Sequence, residues 1–314
     1  MAACADPMQP PQVSVVVPAH DAAAYLGACL DSVATQRGGL ALELIVVDDG
    51  SHDATAAIAQ ARAGVRCLRQ PQRGPAAARN AGIAAARAPL VAFLDADDLW
   101  PPDALASALA VLQRDAGAAL AFGDCRQFDA GGPQARTLFE DGGYGAAAWG
   151  EGGRVPQAHA RLLAANFITT GSVVARRAVL QALGGFDEGL RRVEDLDLWL
   201  RIAHAHPIAW RPQVALLRRR HAANVSRDAD AMSLAWLEVL ERERRRHAPL
   251  APALAATLAR QRAAERLLLA QRALARGDAA QAAAQARQAL ADGARWRAAA
   301  TIVQAGLLRL GWRR

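Results

Sequence analysis

Lysine is absent: all 37 basic residues of this 314-residue chain are arginine. In a chain so rich in alanine, that bias reads as genome composition rather than function. Ala22-Ala23-Ala24 follows the first apolar strand, where a nucleotidyltransferase would want a glycine-rich phosphate loop with a catalytic Lys or Arg. No Gly-x-Gly-x-x-Gly stands there either, which disfavours a dinucleotide-binding oxidoreductase. The four cysteines, Cys4, Cys29, Cys67 and Cys125, lack zinc spacing and read as reduced core residues, Cys29 in a helix and Cys67 in a strand. No run approaches about 18 uninterrupted apolar residues, so no membrane span is expected. The N-terminus has neither a basic start nor an apolar signal core, so a cytoplasmic protein is expected. No basic patch is interleaved with aromatics, so nucleic acid is not an expected partner.

What is present is a series of apolar strands that end in acids. Leu90-Val91-Ala92-Phe93-Leu94 reads as a buried parallel strand and runs into Asp95-Ala96-Asp97-Asp98. Carboxylates crowded at a strand's carboxyl end repel one another unless a hard divalent cation sits between them and an anionic ligand. The ligand crevice of open α/β sheets lies at that edge. The plainer alternative is a solvated acidic turn ahead of the helix near Pro101-Pro102-Asp103. Leu44-Ile45-Val46-Val47 likewise runs into Asp48-Asp49-Gly50-Ser51, and Val13-Ser14-Val15-Val16-Val17 into Pro18-Ala19-His20-Asp21. Asp49 could accept from a base imide or a ribose hydroxyl, while Ser51 or Asp53 would cap the next helix.

Helices are expected near 23–36, 54–63, 76–86 and 104–114, and strands near 13–17, 42–47, 65–68, 90–94 and 119–122. That alternation implies an α/β class, a mostly parallel sheet flanked by helices. Residues 1–12 read as a loose arm, and 129–158, glycine-rich and aperiodic, as a mobile loop rather than core. Asn166–Ser226 would complete the sheet on the acceptor side. From about Asp228 the chain turns helical. Ala264–Gly277 and Ala279–Asp292 pattern as a helical hairpin, a packed α-helical C-terminal appendage rather than a solenoid. Net charge is −6 over residues 1–200 and +13 over 201–314. At the end of the chain Trp296, Ile302, Val303 and Leu310 with flanking Arg297 and Arg309 suit either a membrane interface or packing on the hairpin.

Six stretches in order resemble a family 2 glycosyltransferase of the GT-A fold: Val13–Asp21, Val46–Ser51, Gly74–Gly82, Phe93–Asp98, Gly184–Glu188 and Glu194–Arg201. The resemblance covers Val13–Ser226 and departs at His20-Asp21, where the family often has Tyr-Asn. It implies a GT-A domain over 13–227, with a nucleotide-sugar half (13–125) and an acceptor half (159–227), then a helical region over 228–314. It implies an inverting, metal-dependent transfer of a sugar from a nucleotide-sugar donor, a UDP-sugar, to a hydroxyl acceptor. By family analogy the acceptor is a glycan or lipid-linked precursor of envelope polysaccharide; the protein is expected in the cytoplasm, with peripheral contact at the inner face of the cytoplasmic membrane where the basic C-terminal helices dock rather than pack.

By the same resemblance the base is Asp195, although acids at a helix start also serve as dipole partners. The donor site draws on Pro18, Ala19, His20, Asp21, Asp48, Asp49, Ser51, Arg79, Asp95 and Ala96. Arg79 would neutralise phosphate, or else pack a charged helix face. The acceptor would be lined by Gly171, Ser172, Glu194 and Trp199. Mn²⁺ or Mg²⁺ would be held by Asp97 with Asp95 and His221, unless His221 is a surface residue beside Arg218-Arg219-Arg220. The rivals are a non-catalytic nucleotide-sugar-binding protein, disfavoured by the intact Asp95, Asp97 and Asp195, and the nucleotidyltransferase set aside above.

Overall fold

A computed structural model describes residues 10–221 and 228–309, the last three as helical backbone only. Cys4, nearly all of the expected N-terminal arm, Ala222–Arg227, and Leu310, Trp312, Arg313 and Arg314 at the chain's end lie outside the described residues. The chain divides into two compact units, Met1–Leu162 with Asn166–Ala223, and Leu163–Ala165 with Asn224–Arg314.

The first unit opens with strict alternation: β1 (Val13–Ala19), α1 (Ala23–Ala34), β2 (Leu42–Asp49), α2 (Thr55–Ala61), β3 (Val65–Gln70), α3 (Pro75–Ala85), β4 (Leu90–Phe93) and α4 (Ala104–Arg114). There follow β5 (Leu120–Asp129), β6 (Gly132–Thr137), α5 (Leu138–Gly142), α6 (Ala146–Trp149), β7 (Gly153–Arg154) and α7 (Ala158–Ala164). A 3₁₀ turn (Thr170–Ser172), β8 (Val174–Arg176), α8 (Arg177–Ala182), α9 (Glu194–Ala205) and β9 (Ile208–Arg219) complete it.

The sheet order is β3-β2-β1-β4-β8-β5-β9-β7, with β6 hairpinned onto β5. Strands β3, β2, β1 and β4 are parallel, and β8 runs antiparallel to both β4 and β5. Every residue of β1 is buried, as a central parallel strand covered on both faces requires. Its one polar residue, Ser14, is satisfied: its hydroxyl donates to Glu43 (2.6 Å) and accepts from the Ala88 amide (3.0 Å). The chain turns to opposite sides of β1 to reach β2 and β4. This is the switch at which such sheets open a crevice.

Helix α3 presses on β1 unusually closely. A Cβ at Gly82 would stand 2.2 Å from Val16 Cγ1, so no larger residue fits there. Pro75 at its first turn, after Gly74 at φ 92°, fixes where it starts.

Residues 129–158 differ from the expected mobile loop. They form β6, α5, α6 and β7, and they bury Phe139 and Trp149 in an aromatic nest with Phe122, Phe167 and Trp210. Gly143, Gly145 and Gly150, at φ 66°, 99° and 85°, let five- and four-residue helices fold back on themselves. Elements that short carry no measurable period, which is why the segment read as aperiodic.

The second unit contains α10 (Ala229–Arg246), α11 (Pro252–Ala275), α12 (Ala279–Ala291) and α13 (Arg295–Arg309). Helices α11 and α12 form the expected hairpin, turned at Gly277 (φ 81°) and capped by Asp278, which accepts from the Gln281 amide. Alanines dominate the packing: Ala273, Ala279, Ala282, Ala283 and Ala305 form one cluster, and Ala289 and Ala298 join Leu267 in another. Helix α13 thus packs on the hairpin through one face. Its opposite face leaves Trp296 90% and Val303 62% exposed. No described helix is long and apolar enough to cross a membrane.

Candidate active site

The acid turn follows β4. Leu94 still pairs with β1 (amide to Val16 carbonyl, 3.1 Å), and the chain then bends, with the Asp98 amide returning to the Asp95 carbonyl. A reciprocal backbone pair between Leu99 and Leu217 ties the turn to β9 (3.0 and 2.9 Å). That pairing brings the end of β9 alongside the acids. Asp98 is buried and accepts from the Arg219 amide (2.8 Å), and the Arg219 guanidinium donates to the Asp97 carbonyl (2.9 Å). Burial first, then the charges of Asp97 and Asp95, hold the Asp98 carboxyl well above the ordinary range. His221 Nε2 lies 2.8 Å from Asp97 Oδ2. The Tyr25 ring stacks on the imidazole (5.1 Å), and the Arg219 guanidinium covers the faces of Tyr25 and Phe128. The imidazole is therefore fixed in place rather than being a loose surface group.

Of the expected ligands Asp95, Asp97 and His221, the last two lie together. Asp95 turns instead to the Arg79 guanidinium, 2.8 Å away. The Asp97 oxygen and His221 nitrogen are as close as two adjacent ligands of one small cation, and the carboxylate is the kind of ligand that suits Mn²⁺ or Mg²⁺. The residues present fit a divalent ion as a two-ligand protein site open to ligand oxygens.

Arg79 is 5% exposed. Its second fork nitrogen donates to Glu194 (2.7 Å), and its plane lies over Phe186 (5.3 Å). Arg79, expected on phosphate or on a charged helix face, bonds to two carboxylates through its fork nitrogens and is buried. Beside Glu194, Asp195 opens α9 after Val193, which sits at φ 50°. Its Oδ1 accepts from the Leu196 amide (2.7 Å), and its Oδ2 from Asn166 and Thr170 (3.3 Å each). Burial, then the Glu194 charge, pushes the Asp195 carboxyl up to about 6, against the pull of Arg79 and the Leu196 and Asn166 hydrogen bonds.

The loops after β1 and β2 staple one another. The Asp21 amide donates to Ser51 Oγ (3.0 Å), Asp21 accepts from the His52 amide (2.8 Å), and the Ala22 amide donates to Thr55 Oγ1. Asp21 takes φ 45° to do so. His20 Nδ1 meets the Asp49 carbonyl (2.9 Å), and its Nε2 meets Gln72. Asp48 is fully buried, paired with Arg69 (2.9 Å) and accepting from the Ser51 amide, so its expected place in a donor contact is corrected. Asp49 was expected on a base or ribose. Its carboxylate accepts from Gln70 (2.7 Å) and from the amides of Arg73 and Gly74 (2.8 and 2.7 Å), pinning the β3–α3 turn. Pro18 and Ala19 are the buried last residues of β1, and Ala96 is the buried small residue of the acid turn. Of the expected donor-site residues in these loops, His20 and Asp21 are the exposed ones.

The expected acceptor lining is likewise corrected. Trp199 is 0% exposed and packs on Phe186. Its ring follows from the apolar stripe of α9, which faces the core. Gly171 and Ser172 are buried in the 3₁₀ turn: the Gly171 carbonyl accepts from Trp100 Nε1 (2.7 Å), and Ser172 Oγ donates to the Thr169 carbonyl. Glu194 is taken by Arg79. The side chains that reach Asp195 are Asn166, not singled out from the sequence, and Thr170, which lies in the segment Ile168–Ser172 expected to line the acceptor or donor sugar. Nothing in the sequence singles out Tyr25 either.

Residues 14–184 match the model of the family described as glycosyl transferase family 2. Validoxylamine A glucosyltransferase of Streptomyces hygroscopicus is 32% identical over 251 residues, 69% of this chain and 58% of that protein. Succinoglycan biosynthesis protein ExoO of Rhizobium meliloti is 43% identical over 99 residues, 30% of this chain and 28% of that one. The chain thus spans less than two thirds of the length of these relatives. Among solved structures, the mannosyltransferase PcManGT of Pyrobaculum calidifontis, in complex with GDP-Man and Mn²⁺, superposes with a TM-score of 0.63 at 21% identity, over 97% of this chain and 82% of that one. S. aureus TarS in complex with UDP-GlcNAc gives 0.61 at 16% identity, over 96% and 93%. These likenesses show the GT-A fold, and the matched family model places the chain among its members: the protein belongs to glycosyl transferase family 2.

Proposed function

We propose that this glycosyltransferase is an inverting enzyme that moves a sugar from a nucleotide-sugar donor, a UDP-sugar, to a hydroxyl acceptor, with Asp195 as general base. The observation that carries the reading is Asp195 itself. It is a half-buried carboxylate at the start of α9, oriented by three neutral donors and held near pH 6. A base works best when its pKa lies near the operating pH. The acceptor hydroxyl gives its proton to Asp195 as its oxygen attacks the anomeric carbon. The carbon–diphosphate bond breaks on the opposite side, so the anomeric configuration inverts. Asn166 and Thr170 hold the receiving oxygen. Asp97 and His221 would hold Mn²⁺ or Mg²⁺, which supplies charge neutralisation for the diphosphate when bound.

The names of the relatives support an acceptor in envelope polysaccharide, and a lipid-linked acceptor fits the exposed face of α13. Trp296 and Val303 lie there, seven residues apart and near Arg295 and Arg297, and tryptophan with arginine suits contact with an anionic inner-leaflet surface at the cytoplasmic side. The test is a donor-hydrolysis screen of the purified protein against UDP-, GDP- and dTDP-sugars with Mn²⁺ or Mg²⁺, comparing the wild type with Asp195→Asn. Turnover of one donor class, lost in the variant while the donor still binds, supports the reading. Binding without turnover in the wild type would reassign the protein as a nucleotide-sugar-binding module.

A further inference from the structure

Arg79 is nearly inaccessible, and both of its terminal guanidinium nitrogens are bonded to carboxylates. We propose that Arg79 is a positioning residue for Asp195: one fork nitrogen clamps Glu194 beside the base and the other clamps Asp95 of the donor-side turn, so a single buried cation sets the charge balance around the proton-accepting carboxylate. The proposal rests on the reading of Asp195 as the base.

The geometry supplies the argument. Glu194 and Arg79 are the charged groups around Asp195, from α9 and α3, and Asp95 acts on it through Arg79 from the turn after β4. The remaining contacts of Asp195, from Asn166, Thr170 and the Leu196 amide, are neutral. In α9, Asp197 is paired with Arg201 (2.8 Å). Nearby negative charge favours the protonated carboxyl and nearby positive charge favours the ionised one, most strongly where water is excluded. Glu194 and Arg79 therefore push Asp195 in opposite directions while bonded to each other. The clamp also fixes Glu194, whose free carboxylate would otherwise compete for the acceptor's proton. Gly82, three residues along α3, holds that helix against β1, which keeps the fork within reach of both acids. Phe186 under the guanidinium plane closes the remaining side.

This arrangement makes a prediction that an ordinary structural ion pair does not. Breaking a salt bridge from either side loosens the same contact, so a purely structural pair gives effects of one sign. Here the two ends differ in sign. The experiment is a pH titration of the Asp195 carboxyl carbon by NMR in protein labelled with [γ-¹³C]aspartate, the signal being assigned by its loss in Asp195→Asn. It needs no donor, so it reads out separately from the turnover screen. In Glu194→Gln the midpoint is expected to fall by about one pH unit, and in Arg79→Gln to rise by about as much. Arg79→Lys, which keeps the charge but loses the fork, covers the case in which Arg79→Gln does not fold: its midpoint stays within about 0.3 unit of wild type. Where turnover is measurable, the acid limb of the kcat profile moves with the midpoint in each variant. Shifts of the same sign in Glu194→Gln and Arg79→Gln, no shift in Glu194→Gln, or a shift in Arg79→Lys as large as one unit would overturn the proposal. A null turnover screen with opposite-signed NMR shifts would instead sink the catalytic reading and leave the electrostatic clamp standing.

Discussion

Two acidic turns face the same crevice, and they treat their carboxylates differently. After β4, every acid has a dedicated partner: Asp95 has Arg79, Asp97 has His221, and Asp98 has the Arg219 amide. At the start of α9, Glu194 has Arg79, but Asp195 has only neutral donors. The first turn gives each of its acids a fixed place through a named partner. The second leaves one carboxylate poorly compensated, at a pKa where it can take up and release a proton. The contrast lies in who pairs with whom, not in how many acids each turn has.

The sharpest way to break the contrast is Asp195→Asn, which keeps the shape and the accepting oxygen but cannot take a proton. Turnover should fall by about 10²–10⁴ with donor affinity near wild type, measured as kcat beside donor binding by calorimetry. A loss of affinity with turnover intact would make Asp195 a helix cap. On the other turn, Asp97→Asn should behave oppositely: donor and Mn²⁺ binding weaken together, by tenfold or more, and wild-type activity is lost in excess EDTA and regained with Mn²⁺ or Mg²⁺. Full activity in EDTA would remove the assigned role of Asp97 and His221.

Gly82→Ala tests the scaffold that both turns share. With Val16 in the way, α3 must shift or the core must strain, and a loss of about 1–3 kcal/mol of stability is expected in urea unfolding. An unchanged midpoint would mean that the helix has room to move. A pH series then tests the Asp195 carboxyl itself. Asp195 has its carboxyl raised from 3.8 to about 6, so folding disfavours its ionised form. Its contribution is destabilising above about pH 6, and that cost fades as pH falls from 6 towards 3.8. Asp195→Asn should therefore stabilise the protein at pH 7.5 by about 1–3 kcal/mol, and by little at pH 4. As the proposed base the same group must be ionised, so wild-type activity should fall as pH drops through about 6. The smallest effect is expected far from both turns: Trp296→Ala should reduce binding to anionic vesicles at low salt by a few-fold while leaving soluble-donor turnover unchanged. Equal vesicle binding by the variant would assign that face to another partner.

The first four strands and their acids were legible because each is a short apolar run with polar residues at its carboxyl end, and the parallel pairing of β1, β2, β3 and β4 follows from the helices between them. The family motifs also located Asp195 and the Asp97–His221 pair. Roles were less legible than positions. Asp48 and Ser51 read as donor contacts, yet their side chains close the chain on itself. Trp199 read as acceptor lining, although its place in the stripe of Leu196, Leu198, Leu200 and Ile202 already marked it as core. Arg79 could not be resolved from the sequence at all. Its partner Glu194 is 115 positions away, and nothing local distinguishes a guanidinium bound for phosphate from one bound for carboxylate. The stretch 129–158 failed for a different reason. Its order comes from aromatic packing across elements of two to six residues, a scale at which periodicity carries no information.

The backbone pair between Leu99 and Leu217 has a consequence in time as well as in space. The acid turn is synthesised early, but the strand that delivers His221 and the Arg219 amide to it is the last of its unit to be made. A nascent chain that has reached α8 already contains β1 to β8 of the sheet, yet lacks both Asp195 and the partner of Asp97. Domains emerge from the ribosome N-terminal end first, over seconds to tens of seconds at this length. During that interval the growing protein holds its acid turn without the strand that pairs with it, because the Leu99–Leu217 bridge and the β5–β9 pairing both need β9.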